Sequence, residues 1–274
     1  VDSNYVENLL DEQIKGFKTR AQILQKLKAT RIYVSTISSM QGKPELFELL
    51  KFDMAIVDEA SQILEPAIIG LLTNFDRFVL IGDHNQLPAV VTQNEKLCDI
   101  KDDLLLENGI VQTSMSFFER LYRQCSKQNW THVLEILNQQ GRMHETLMAF
   151  PKVQFYKNKL EVVPGVNRLI RPMTIVQSDR ENVLTSQRLI FVDTSVDNTL
   201  QWKLNNYEAD VVASLVTQLR EHYKHENLEW HKNSVGVITP YKAQIALIKS
   251  KIPDFDDVTV DSVERYQGGA RDII

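Results

Sequence analysis

Cysteine is scarce: Cys98 and Cys125 are the only two in 274 residues. That is too few for a metal quartet or a disulfide framework, and it suits a reducing compartment. Long apolar runs are also missing. Stretches such as Ala67 to Leu72 reach about six residues, against the roughly 20 needed to cross a bilayer. The expectation is a soluble intracellular protein without a membrane partner, cytoplasmic in a bacterium and otherwise nuclear or cytoplasmic. No Gly/Ser/Pro tract and no block of like charge marks a disordered linker. Positive charge is not in excess either: 31 Lys and Arg stand against 36 Asp and Glu, a formal charge of -5. This excludes a histone-like basic coat but leaves room for a local basic groove.

What is present is 43% apolar residues, enough for one large or two modest cores at roughly 100 to 200 residues per domain. Val6, Leu10, Ile14, Phe17, Ala21, Leu24 and Leu27 follow a helical period, which predicts one long opening helix. Residue 1 is Val and this pattern starts within a few residues, so the chain is expected to begin inside a larger protein. The β-branched run Arg31 to Ile37 predicts a strand, which then runs into a Gly42-Lys43-Pro44 break. Met54 to Val57 and Phe78 to Ile81 predict two strands of a parallel sheet buried on both faces, with a helix over Pro66 to Leu72 between them. A helix is expected near Ser116 to Cys125 and a domain boundary near residue 129. Beyond it, strands are expected at Val133 to Leu137, Leu189 to Val192, Val235 to Ile238 and Val258 to Val260. Helices are expected near Glu145 to Phe150, Ala209 to Tyr223 and Ala243 to Ile252, the second opened by a capping box of Asn205 and Glu208. The fold class is α/β, in two blocks of about equal size.

Chemistry-bearing residues gather at the predicted strand ends. Asp58 and Glu59 close the run Ile56-Val57 at the carboxyl end of a strand, where open α/β sheets bind ligands. The first can hold magnesium, and the second can orient or deprotonate a water attacking a phosphate. Gly82-Asp83-His84-Asn85-Gln86-Leu87-Pro88 ends the next strand in the same way, and the Gln86 amide can both donate to a phosphate oxygen and accept from water. Arg142, between a predicted strand and a predicted helix, can reach a transferring phosphate held by another domain. His144 is read as a packing or capping residue. Thr239-Pro240-Tyr241-Lys242-Ala243-Gln244 and Val260 to Gly269 each follow a strand, where hydroxyls and helix-start N–H groups suit phosphodiester contacts. Tyr241 and Tyr266 are candidates for stacking on a base, with simple packing as the alternative.

In order along the chain, these segments resemble superfamily 1 helicases of the Upf and Sen branch. Val34-Ser35-Thr36 resembles a nucleic-acid-contacting motif, Val57 to Gln62 resembles motif II, and Gly82 to Pro88 resembles motif III. Arg142-Met143-His144 resembles motif IV, Asn205 to Ala209 the N-x-x-E-A helix start, Thr239 to Gln244 the T-P-Y-x-x-Q segment, and Val260 to Asp272 motif V. The resemblance implies two RecA-like P-loop NTPase domains, the first incomplete: residues 1–128 as the later part of the first and 129–274 as the second, truncated at its C-terminus. It also implies ATP and magnesium as cofactors and single-stranded nucleic acid as partner, with movement 5′ to 3′; DNA and RNA both stay open as the track, and the look of the motif variants favours DNA. On this likeness Asp58 holds magnesium and Glu59, Gln86 and Arg142 are catalytic. Asp58, Asp83, Gln267 and Gly268 bind the cofactor, while Ser35, Thr36, Thr239, Tyr241 and Ser262 contact the nucleic acid.

The sequence also departs from that pattern. It has no G-x-x-x-x-G-K-[ST] loop, and the nearest candidate, Gly16-Phe17-Lys18-Thr19, lacks the Gly-Lys pair. Motif VI is not found before Ile274. Gly141 stands where the commoner pattern has Tyr, Glu145 where it has Pro, and Ala270 where it has Glu. Two readings stay open: part of an ATP-driven helicase that turns over only with the missing segments, or a non-catalytic module that binds nucleic acid or a protein partner.

Overall fold

The structure, a computed structural model, describes residues 3–165, 187–194 and 203–274. Two units divide it, Val1–Glu135 and Ile136–Ile274; among the described residues the first mixes helices with one two-stranded parallel sheet and the second with two.

The first unit does not open on one long helix. A 3-10 turn, Ser3–Asn8, is followed by α1 (Leu10–Ile14) and then α2 (Arg20–Ala29). The break has a local cause. Thr19 is extended, with φ −132 and ψ 150; its hydroxyl accepts from the Gln22 N–H while its own N–H donates to the Gln22 side chain. That reciprocal box satisfies two donors at a new helix start, at about 1 kcal/mol for the cap. The amphipathic period is therefore shared by two helices.

Arg31 to Ile37 is not a strand either. No ladder forms there among the described residues, Ile32 and Val34 are 80% and 95% exposed, and Ile37 opens α3 (Ile37–Gln41). Tyr33 anchors the extended segment, donating to the Leu27 carbonyl at 2.7 Å and standing edge-on to Phe52 at 5.4 Å. β propensity reflects packing on a pleated neighbour, and without one the run stays extended but unpaired.

After α4 (Glu45–Leu49) come β1 (Phe52–Val57), α5 (Glu65–Leu72) and β2 (Phe75–Leu80). The strands pair in parallel from Phe52 opposite Phe75 to Val57 opposite Leu80. Ile68 and Leu72 on α5 and Phe117 on α7 (Phe117–Lys127) form the core, with Ala55, Val57 and Leu80 packed against it. The expectation of strands buried on both faces is corrected here: Ile56 and Val79 are 67% and 44% exposed. Side chains alternate along a strand, so α5 and α7 cover only one of its two faces. α6 (Asp103–Glu107) lies between β2 and α7. A buried ion pair then ties α7 to the start of α5: Arg120 donates to both Glu65 carboxylate oxygens, at 2.7 and 2.6 Å.

In the second unit the strand expected at Val133 to Leu137 is absent. A 3-10 turn covers Thr131–Val133 at the end of the first unit, and the short β3 (Gln139–Gln140) pairs instead with β4 (Glu161–Val162). Between them lies α8 (Glu145–Gln154). Leu189 to Val192 forms no strand; Phe191 is 90% exposed. An apolar run needs a neighbouring strand before it can form a ladder, and these two lack one in the described residues. The main body is α9 (Asn206–His225), β5 (Gly236–Ile238), α10 (Lys242–Lys251), β6 (Thr259–Asp261) and α11 (Val263–Tyr266). β5 and β6 are parallel, with Val237 opposite Val260. On the other side of β5, the Gly236 N–H donates to the Ile273 carbonyl at 2.9 Å. Ala209, Val216 and Leu219 of α9 and Ile248 of α10 bury against Val235, Val258 and Val260.

Candidate functional site

Asp58 and Glu59 leave β1 through a tight reversal. Glu59 sits in the left-handed region at φ 52, ψ 35, which costs a non-glycine residue about 1–2 kcal/mol. Its N–H donates to Asp58 Oδ1 at 3.0 Å, and Gln62 Nε2 donates to Glu59 Oε2 at 2.7 Å. Both acids are exposed, and among the described residues neither has an ion pair. The carboxylates thus point outward with their charge uncompensated and their orientation set by local hydrogen bonds.

The second acidic turn docks directly on the first. The Ile81 N–H donates to the Val57 carbonyl and the Ala60 N–H to the Ile81 carbonyl, both at 2.8 Å. The Asp83 N–H donates to Ser61 Oγ at 3.1 Å. Gly82 permits this approach: a Cβ there would lie 2.8 Å from the Ser61 backbone nitrogen. Asp83 organises its own loop, one carboxylate oxygen accepting from the Asn85 N–H at 3.0 Å and the other from Gln86 Nε2 at 2.8 Å. Asp58, Glu59, Asp83 and Gln86 therefore share one end of the β1–β2 sheet. Ser61 had no role in the sequence reading; a small hydroxyl residue two positions after the acids was the available signal.

Ser35 and Thr36, exposed in the same unit, stand before α3. Thr36 is its N-cap, its hydroxyl accepting from the Ser39 N–H at 3.2 Å, and Ser35 Oγ donates to the Thr36 carbonyl at 2.9 Å. Gly16-Phe17-Lys18-Thr19 is the turn into α2, closed by the Thr19 cap rather than shaped as a phosphate loop.

In the second unit Arg142 is exposed on the turn between β3 and α8, with no ion pair among the described residues. Gln140 shapes that turn. Its Oε1 accepts from the Arg142 and Met143 N–H groups, at 2.9 and 2.7 Å, and its Nε2 donates to the Met143 carbonyl at 2.7 Å. Sequence reasoning gave Gln140 no role. His144 caps α8, accepting from the Thr146 N–H at 3.2 Å.

Thr239 is half-buried and follows β5, with its N–H donating to the Asp261 carbonyl at 3.2 Å. Tyr241 is 46% exposed, with the Lys203 ammonium 5.6 Å from its ring centre. The Ser262 hydroxyl beside Glu264 holds that carboxyl below its ordinary range. Gln267 and Gly268 follow α11, and Gly268 has φ +78. Tyr266 is a packing residue: it is 8% exposed and its hydroxyl donates to the Thr259 carbonyl at 2.5 Å. Burial pushes its phenol above the ordinary value, against the pull of Arg271. A Cβ on Gly236 would meet the Tyr266 hydroxyl at 2.6 Å, so the ring fills the space a side chain there would need.

The Asn205 cap is present, with its side chain accepting from the Glu208 N–H at 3.0 Å. The return half of the expected box does not come from Glu208. Gln244, 4% exposed, accepts from the Asn205 N–H at 2.8 Å and donates to the Asn205 carbonyl at 2.9 Å. A buried amide 39 residues away in the chain displaces the local partner.

An AAA domain family model matches residues 113–274, and a second, also described as an AAA domain, matches 6–94. The chain is 28% identical over 291 residues to "DNA polymerase alpha-associated DNA helicase A" of Saccharomyces cerevisiae, covering 96% of this chain and 39% of that protein. The protein of the same name in Schizosaccharomyces pombe is 30% identical over 270 residues, covering 94% and 36%. Human "3'-5' exoribonuclease HELZ2" is 30% identical over 233 residues, covering 81% and 7%. The chain thus spans less than two-fifths of the length of each of these relatives. The match over 113–274 alone takes in more than half of the chain, and the paired acidic strand ends lie within or beside the second match; the chain belongs to the AAA-domain helicases of superfamily 1, in the Upf and Sen branch.

Proposed function

We propose that the chain is the part of an ATP-dependent helicase that carries the later half of one RecA-like domain, residues 1–128, and most of a second, residues 129–274. It acts on single-stranded DNA, 5′ to 3′. The observation that carries this reading is the shared end of the β1–β2 sheet, where Asp58, Glu59, Asp83 and Gln86 lie on adjacent strand-end turns. The names of the yeast relatives support DNA as the track.

The donor set suits ATP with magnesium. Among the described residues no group of three or more His, Cys, Asp or Glu forms a metal cage. Magnesium favours one or two carboxylates together with water and substrate phosphates, and the exposed Asp58 and the half-buried Asp83 can provide the carboxylates. When bound, the ion and nucleotide supply the phosphoryl group and neutralise its charge. The chain's own residues do the rest. Glu59, with its carboxylate oriented by Gln62, orients or deprotonates the attacking water. Gln86, with its carboxamide held by Asp83, reads the terminal phosphate, and Arg142 stabilises charge as it develops. Gln267 and Gly268 approach the nucleotide. Ser35, Thr36, Thr239, Tyr241 and Ser262 line the track and position the strand without reading its sequence.

The test is single-strand-stimulated ATP hydrolysis and duplex unwinding by a longer polypeptide carrying this chain, with Glu59→Gln as the control. Loss of both activities in the variant supports the reading; unchanged turnover removes it. A second reading, a non-catalytic nucleic-acid or protein-binding module, is favoured by Ala270 in place of the usual acid. It predicts strand binding that ATP does not alter.

A further inference from the structure

His84 lies inside the second acidic turn, between Asp83 and Gln86, and none of the roles above uses it. Its ring packs on Tyr122 with centroids 4.3 Å apart and planes 35° apart, and lies 6.4 Å from the Phe118 ring. Both aromatics belong to α7, which does not yield easily. Ser116 caps that helix, Phe117 sits in the core with Ile68 and Leu72, and Arg120 is clamped to Glu65 by two hydrogen bonds. Behind the turn, Ser61 holds the Asp83 N–H; in front, the ring stack presses it against α7. The turn that orients Gln86 is therefore gripped from both sides.

We propose that His84 is a positioning residue: its stacking on Tyr122 sets the direction of Gln86 and couples phosphate sensing to α7. This rests on the reading of Gln86 given above. What the position needs is a flat ring, not a titrating group, because an offset aromatic contact fixes a loop through area and quadrupole. A misplacement of about 1 Å near a reacting group can cost up to about 100-fold in rate. Loss of the stack while Asp83 and Ser61 remain is accordingly expected to cost about 10-fold in kcat.

The experiment is steady-state ATP hydrolysis by the longer polypeptide at saturating single-stranded DNA, with thermal melts of every variant. Gln86→Ala tests the underlying reading, while His84→Ala, His84→Phe, Tyr122→Ala and the double variant His84→Ala/Tyr122→Ala test the coupling. The expected result is that His84→Ala and Tyr122→Ala each lower kcat about 10-fold with the KM for ATP within about 2-fold. The double variant is no worse than either single one, and His84→Phe restores most of the rate. If Gln86→Ala is impaired and His84→Ala is not, the coupling is overturned and the reading of Gln86 survives. If Gln86→Ala has full turnover, both fall. A His84→Phe variant as slow as His84→Ala, with an unchanged melt, overturns positioning by stacking.

Discussion

The Gln244 side chain exchanges two hydrogen bonds with the main chain of Asn205, accepting from its N–H at 2.8 Å and donating to its carbonyl at 2.9 Å. A carboxamide used this way imitates a neighbouring strand, and it joins the first turn of α10 to the residue that caps α9. The T-P-Y-x-x-Q segment thereby ends in a structural clamp, three residues from Tyr241. Gln244→Ala should leave the Asn205 N–H without this partner, at about 1–3 kcal/mol for a buried donor left unpaired, while the Asn205 carbonyl keeps the Ala209 N–H at 3.2 Å. Urea unfolding should show that loss, whereas Asn205→Ala, which keeps the main-chain exchange, should cost only the cap, about 1 kcal/mol.

The 274-residue chain by itself should hydrolyse ATP no faster than a buffer blank. Its sequence offers no P-loop lysine, and Gly16 to Thr19 form a helix-entry turn instead of a cradle, so the β and γ phosphates have no ring of backbone N–H groups. DNA-stimulated phosphate release that Glu59→Gln abolishes would refute this.

In the longer polypeptide, Glu59→Gln should keep ATP binding close to wild type and lower turnover by about 100-fold or more, the usual scale for losing a water-activating carboxylate. The amide preserves the shape of the turn and removes the charge. Equilibrium nucleotide binding and single-turnover hydrolysis, measured together, check both halves.

Arg142 is exposed on a turn shaped by Gln140, with no ion pair among the described residues, so its proposed contact is assigned to the reacting state. Arg142→Ala should reduce turnover more than ATP affinity. Equal losses would make it a ground-state ligand, and no loss would make it a surface residue.

If Thr36 and Thr239 both touch one bound strand, affinity should depend strongly on salt and weakly on base sequence. Each hydroxyl is worth about 0.5–1.5 kcal/mol net. Titration of labelled single strands should show Thr36→Ala and Thr239→Ala weakening binding modestly and the pair weakening it more. A pair no weaker than its worse member would count against a common track.

The parallel β1–β2 pair was legible because its apolar runs are short, end in acids and flank a helical stretch; β5, β6, α7, α9 and α10 were legible for similar reasons. Arg31 to Ile37, Val133 to Leu137 and Leu189 to Val192 misled because composition reports strand propensity but not the presence of a neighbour to pair with. Val6 to Leu27 misled because one period can serve two helices, and only the Thr19 cap shows where the first must stop.

The sequence alone determined which residues are candidates for the chemistry: Asp58, Glu59, Asp83, Gln86 and Arg142 stand at strand ends and turns, and short-range patterns report such positions. Tertiary structure decided what holds them. Ser61 receiving the Asp83 N–H, Gly82 allowing that approach, Tyr122 beneath His84 and Gln244 clasping Asn205 all join residues at least 20 positions apart. Contacts of that kind depend on how separate elements pack, a long-range property that no local period or propensity encodes.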